Sequence, residues 1–146
     1  MVQDFYEKEL LSKVIAMPAN TNPSGNIFGG WIMSLMDIAA GSLAGRIAKG
    51  TVVTKAVKDL TFDHPILVGD EVSVYGSVTR IGKTSITLDV EVSIRHASDE
   101  EVHRAVYGSF IMVAVDEKRR PRQITDSKLR GPYCSVVNGF SQLVYS

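Results

Sequence analysis

The chain has 146 residues, enough for one domain with one sizeable core and no reason to expect a second. Sixteen Lys and Arg balance sixteen Asp and Glu, and no long basic stripe runs through the body, which argues against nucleic acid or an anionic lipid surface as partner. The one cysteine, Cys134, cannot form an intrachain disulfide or a multi-cysteine metal site, and three scattered histidines give no ligand spacing, so no metal or redox cofactor and a reducing compartment are expected.

The N-terminal MVQDFYEKELLSK is charged from its fourth residue and lacks an apolar core followed by small cleavage-site residues. It does not read as a signal peptide, and a cytoplasmic protein is expected. A short strand is expected from Ser12 to Met17. The turn cluster Asn22-Pro23-Ser24-Gly25-Asn26 follows, then Gly29-Gly30 at the expected entrance of a long apolar helix that Lys49-Gly50 closes. Residues 27–48 match a membrane span in length, but Asp37 near the bilayer centre would cost about 2.5–3.5 kcal/mol. Arg46 near the end and the alternating segments that follow argue the same way, so no membrane insertion is expected. The small residues Ala39, Ala40, Gly41, Ala44, Gly45 and Ala48 point instead to a helix whose backbone closely approaches a sheet or another helix.

Beyond Gly50 the period changes to 2. Thr51 to Phe62 is rich in β-branched residues, and His64-Pro65 with Val68-Gly69-Asp70 breaks the chain before a strand from Glu71 to Ile81. After the reversal Ile81-Gly82-Lys83-Thr84, Ile86, Leu88, Val90, Val92 and Ile94 alternate strictly with Thr87, Asp89, Glu91, Ser93 and Arg95, the clearest strand in the chain. Residues 97–100 turn the chain again, and Val102 to Val115 gives a last long strand ending in the basic loop from Lys118 to Arg122. Strand, loop, long helix and four strands joined mostly by short turns predict an α+β fold, an antiparallel sheet with one helix on its face. A helix apolar all round is not left half exposed, so a homo-oligomer is expected.

Asp37 is the one carboxylate of this helix. An ionised Asp among apolar neighbours costs several kcal/mol unless it is neutralised or hydrogen-bonded, and so calls for a reason. A structural reason would be a bond to a neighbouring backbone group or a pair with Arg46 or a lysine. A chemical reason would be catalysis.

The loop and helix NTNPSGNIFGGWIMSLMD, followed by VVTKAV, FDHPILVGDEV, RIGKTS and FIMVAVD, resemble the signature of the hotdog-fold acyl-CoA thioesterases over Leu10 to Ile124. The resemblance implies a hotdog domain over residues 1–124, with a long helix wrapped by a curved antiparallel sheet. It implies a homodimer as the minimal unit, in which two chains make a continuous sheet with substrate sites at their interface, and a hexamer or tetramer built from such dimers. Residues 125–146 show no likeness and form a tail of unknown role.

By that resemblance Asp37 is the catalytic carboxylate, acting as general base on a water or as nucleophile on the thioester carbonyl of an acyl-CoA. A partly desolvated carboxylate suits either role. The N–H groups near Phe28, Gly29 and Gly30 are candidates to polarise the carbonyl, because a helix N-terminus favours developing negative charge. A lone glycine pair also serves to permit a turn or tight packing. Asn20 and Thr54 are further candidates for positioning the water or the carbonyl, against plain roles as a turn Asn and a strand Thr. Coenzyme A, part of the substrate and not a cofactor, brings phosphates that Arg80, Gly82, Lys83, Thr84 and Ser85 suit through charge, turn N–H groups and hydroxyls. The loop from Lys118 to Arg122 is a second basic group that could meet the nucleotide. No histidine is assigned a role. Where some hotdog relatives place a histidine before the glycine pair, this chain has Phe28, which disfavours a dehydratase or hydratase. That activity, and a non-catalytic acyl-CoA binding or sensing protein, are the rival readings.

Overall fold

The computed structural model describes residues 7–124; the tail 125–146, with Cys134, lies outside the described residues. The elements are β1 (Glu9–Ile15), a 3-10 turn (Pro18–Asn20), α1 (Gly29–Ala48), β2 (Val52–Phe62), β3 (Glu71–Ile81), β4 (Ser85–Arg95) and β5 (Val102–Ala114). The five strands form one sheet in the order β1-β3-β4-β5-β2, antiparallel throughout. This is the expected α+β layout. β1 begins and ends earlier than the sequence predicts, because Met17 already caps the turn that Pro18 opens.

Period-2 patterning sets the sheet's inner face. Ile86, Leu88, Val90, Val92 and Ile94 are all buried, and they face Val72, Val74 and Val78 of β3 and Val106, Phe110 and Met112 of β5 across the register. Against this face lies α1, through Ile32, Met36, Ala39, Ala40, Leu43, Ala44, Ile47 and Ala48. Spacings of three and four put these side chains on one helix face. The four alanines let the helix backbone come close to the sheet, as expected. Gly76 has a similar cause: a Cβ there would lie 2.7 Å from a Leu11 methyl carbon and 3.5 Å from one of Leu43. At the other end of the helix, Lys49 itself takes the left-handed conformation (φ 55°) and its N–H bonds Gly45, so the helix closes one residue before the expected glycine.

The turn before β3 is built around a buried carboxylate. Gly69 reverses the chain at φ 92°, and Asp70, 2% exposed, accepts the Leu67 N–H at 2.8 Å through Oδ2. Through Oδ1 it accepts His96 Nδ1–H at 2.6 Å. Asp70→Ala removes both bonds and strands a backbone donor, so a loss of about 1–3 kcal/mol is expected. Urea unfolding of the two proteins measures it; equal midpoints would mean that the turn does not depend on this carboxylate.

Candidate active site

Because α1 settles on its alanine face, Asp37 does not enter the core. It is exposed in the protomer, on the flank of the helix beside edge strand β2, where its Oδ1 accepts the Thr54 hydroxyl at 2.5 Å. Thr54 also approaches Met112 Sδ at 3.5 Å. Two residues selected separately from the sequence are thereby joined. Its apolar sequence neighbours are spread around the helix rather than gathered over the carboxylate. Arg46 is not its partner; it pairs with Glu9 at 2.8 Å.

Exposed apolar side chains run along α1 and β2 between this flank and the helix entrance. Phe28, Met33 and Ile38 are exposed on the helix and its N-cap, as are Val57 and Phe62 on β2, with Ile38 at 68%. Met36, by contrast, is fully buried core, and Trp31 packs partly against that core.

At the helix entrance Phe28 is the N-cap residue, and its carbonyl accepts the N–H groups of Trp31 and Ile32. Among the described residues no acceptor faces the N–H groups of Gly29 and Gly30. Such orphan donors are ready to bind an anionic oxygen. The two glycines also pack tightly: the Phe62 ring lies 3.6 Å from where a Gly29 Cβ would be, and the Phe28 ring 2.6 Å from that of Gly30. The packing role of the pair is thus observed, and its N–H groups stay unpaired among the described residues. Gly29 lines a cavity of about 280 Å³ with Asn22, Phe62 and His64.

Asn20 has a loop-building role. Its carboxamide oxygen accepts the Met17 N–H at 3.0 Å, and its carbonyl accepts the Phe28 N–H at 2.7 Å, which ties the loop to the helix entrance. Like Asn26, Asn22, passed over as a turn residue, lines the cavity, whereas Asn20 does not. Its Oδ1 accepts the N–H groups of Ser24 and Asn26 and the Ser24 hydroxyl. The amide nitrogen, which has no partner among the described residues, was not legible from a turn cluster read only as a turn.

The β3–β4 turn lies apart from this cavity. Arg80 and Lys83 are exposed and Thr84 and Ser85 half-buried, while Gly82 is buried and its N–H is spent on the Ser85 carbonyl at 2.7 Å. The turn is held against the end of β5 and the segment after it, with the Thr84 carbonyl accepting the Ala114 N–H and that of Lys83 the Ile124 N–H. Of the second basic group, Arg122 is not available to a phosphate. Its guanidinium donates to the carbonyls of Ala48 and Val115 at 2.8 and 3.1 Å and so closes the C-terminal end of α1.

One protomer does not bring these parts together. Gly30 and Asp37 are separated by about 10 Å of helix rise. The orphan N–H groups point out of the helix end along its axis, whereas the Asp37 side chain leaves the helix sideways.

A model of the thioesterase superfamily matches residues 24–98. The acyl-CoA thioester hydrolase YciA of Salmonella typhimurium is 44% identical over 119 residues, 80% of this chain and 90% of that protein. A hexameric broad specificity acyl-coenzyme A thioesterase, solved as an aspartate-to-alanine mutant, superposes with a TM-score of 0.84 at 38% identity, covering 93% of this chain and 99% of that one. An acyl-CoA hydrolase from Staphylococcus aureus, in complex with butyryl coenzyme A and coenzyme A, gives a TM-score of 0.73 at 26% identity, over 80% of this chain and 71% of that one. Alanine mutants of the same enzyme replace an asparagine and an aspartate that stand fifteen residues apart (43 − 28). The chain belongs to the thioesterase superfamily, among the hotdog-fold acyl-CoA thioester hydrolases.

Proposed function

We propose that this protein hydrolyses acyl-CoA thioesters to a carboxylic acid and coenzyme A, with Asp37 as the carboxylate that drives attack. The observation that carries this reading is the 2.5 Å Thr54–Asp37 bond, which fixes a carboxylate oxygen on an apolar, uncovered flank. As general base, Asp37 takes a proton from a water whose oxygen attacks the thioester carbon. The carbonyl electrons collect on an oxyanion, then return to expel coenzyme A as thiolate, which is protonated. As nucleophile, Asp37 attacks the carbon itself, expels the thiolate and forms an anhydride that water opens. No metal or redox cofactor enters either route.

The oxyanion donors in this reading are the Gly29 and Gly30 N–H groups of a second copy. The exposed apolar residues beside Asp37 form a surface that a second chain would cover, and the divergent directions of the donors and the carboxylate within one chain favour such sharing. A homodimer is thus the minimal unit, and a hexamer like that of the similar broad specificity thioesterase is the assembly we infer. Between the two asparagines, the fifteen-residue spacing of the replaced pair in the S. aureus enzyme matches Asn22 and Asp37 (37 − 22), whereas Asn20 stands seventeen residues from Asp37. Asn22 therefore replaces Asn20 as the asparagine placed at the substrate. Arg80, Lys83, Thr84 and Ser85 receive the phosphates of coenzyme A in the same reading. We place the protein in the cytoplasm, where such substrates occur.

Thiol release from acyl-CoAs between acetyl and palmitoyl tests the reaction. Asp37→Asn is expected to lower kcat by about 10²–10⁴-fold, and Thr54→Val by less; a folded Asp37→Asn with undiminished release would sink the assignment. Asn22→Ala is expected to cost more activity than Asn20→Ala at equal folded content. The reverse order would return the role to Asn20. Lys83→Ala is expected to raise KM for acyl-CoA while leaving KM for the matching acyl-pantetheine, which lacks the nucleotide, unchanged. Equal effects on both substrates would remove Lys83 from phosphate binding.

A further inference from the structure

All three histidines of the chain, far apart in sequence, meet at one place. His64 follows β2, His96 follows β4 and His103 lies in β5, and their ring centroids are 4.7 Å (His64–His103), 5.6 Å (His64–His96) and 6.0 Å (His96–His103) apart. Three imidazoles bound to one tetrahedral Zn2+ at about 2.0 Å from each nitrogen place their centroids about 5 Å apart. The ring spacing is thus near the required size, but the ring nitrogens do not converge as they stand: among the described residues the ligand atoms found within 4.8 Å of one another are those of Asp99, Glu101 and His103, and of the nearly parallel His64 and His103 rings, 17° between planes, His103 must rotate.

The hydrogen bonds set the tautomers that a metal needs. His96 Nδ1–H donates to the buried carboxylate of Asp70 at 2.6 Å. His64 Nδ1 lies 3.0 Å from the Pro65 carbonyl, which can only accept, so this nitrogen also carries a proton. In the neutral rings both Nε2 atoms therefore hold free lone pairs. A carboxylate or carbonyl behind Nδ1 is the usual support of a metal-binding histidine. On the open side, ligand atoms of Asp99, Glu101 and His103 lie within 4.8 Å of one another, with Glu101 Oε2 4.0 Å from His103 Nε2. Asp99 already accepts the Glu101 N–H, which leaves Glu101 as the freer carboxylate.

We propose that His64, His96, His103 and Glu101 form a site for a divalent transition-metal ion of the Zn2+ type, which ties the β2–β3 loop to the β4–β5 hairpin. Imidazole and carboxylate are suited to such an ion. The site lies outside the hydrolytic chemistry, but His64 also lines the cavity with Asn22 and Gly29, so the ion would brace the loop beside it. Histidine spacing in the sequence speaks against a metal, because the sheet alone brings these residues together.

Tag-free protein carrying Cys134→Ser, which removes thiol ligation, is titrated with Zn2+ by calorimetry beside versions that add His64→Ala or His103→Ala. His96 is kept because Asp70 depends on it. Circular dichroism checks each fold, and Glu101→Gln supplies a variant at an exposed position whose folding is not in question. The expected result is one Zn2+ per chain, bound at least about tenfold more weakly by each variant, since even supporting residues are worth that much. Zn2+ should also raise the melting temperature of the parent and not of the histidine variants. Absence of saturable binding by the parent, or equal affinity in the folded variants, overturns the site and leaves the three rings as packing.

Discussion

The close seat of α1 on the sheet determines how everything else is placed. Ala39, Ala40, Ala44 and Ala48, 0–3% exposed, allow the helix backbone to approach, and that contact fixes the helix's rotation. Ile38 lies about 200° round from the buried Met36 and therefore points outward. Asp37 lies between these directions, on the flank that meets the start of β2. The carboxylate is thus presented by the packing of residues that have no chemistry of their own.

The same rotation explains why Thr54 is its partner. β2 is an edge strand, bonded to β5 on one side only, and its pairing shifts between Thr54 and Ala56 and again between Lys58 and Thr61. Such irregularities re-aim side chains at sheet edges. Here the edge brings a hydroxyl to Asp37 Oδ1, so one carboxylate oxygen is held and the other has no partner among the described residues. A hydrogen bond to an ionised group also orients it more firmly than a neutral pair would.

Much of this was legible in the residues, because it rests on local rules. The strict alternation from Ile86 to Ile94 gave both the strand and its buried face. The turn cluster and glycine pair placed the helix start at Gly29, and the small residues foretold its close packing. What the sequence concealed depends on contacts between distant segments. A helix apolar all round carries no signal for which face meets the sheet, so the exposure of Asp37 could not be read. Arg122 looks like one cation of a basic loop, yet it is consumed by carbonyls at the end of α1, more than seventy residues earlier. The convergence of His64, His96 and His103 needs the strand order itself. Asn20 and Asn22 differ only in which way the loop turns them, and residue type says nothing of that.

A carboxylate and several large apolar side chains are exposed on the same helix and its neighbouring edge strand, and the two features account for each other. In the isolated protomer water solvates Asp37 while Met33, Ile38, Val57 and Phe62 remain uncovered at a cost in hydrophobic free energy. Covering them with a second copy recovers that cost and at the same time withdraws Asp37 from bulk water. Desolvation disfavours the charged form of a carboxylate and so strengthens it as a base. On the two-chain reading, the contact that brings in the oxyanion donors is also the one that withdraws the carboxylate from water, while the Thr54 hydroxyl holds its orientation. Assembly and catalysis would then share one surface, which is why a helix so apolar can carry a charge at its middle.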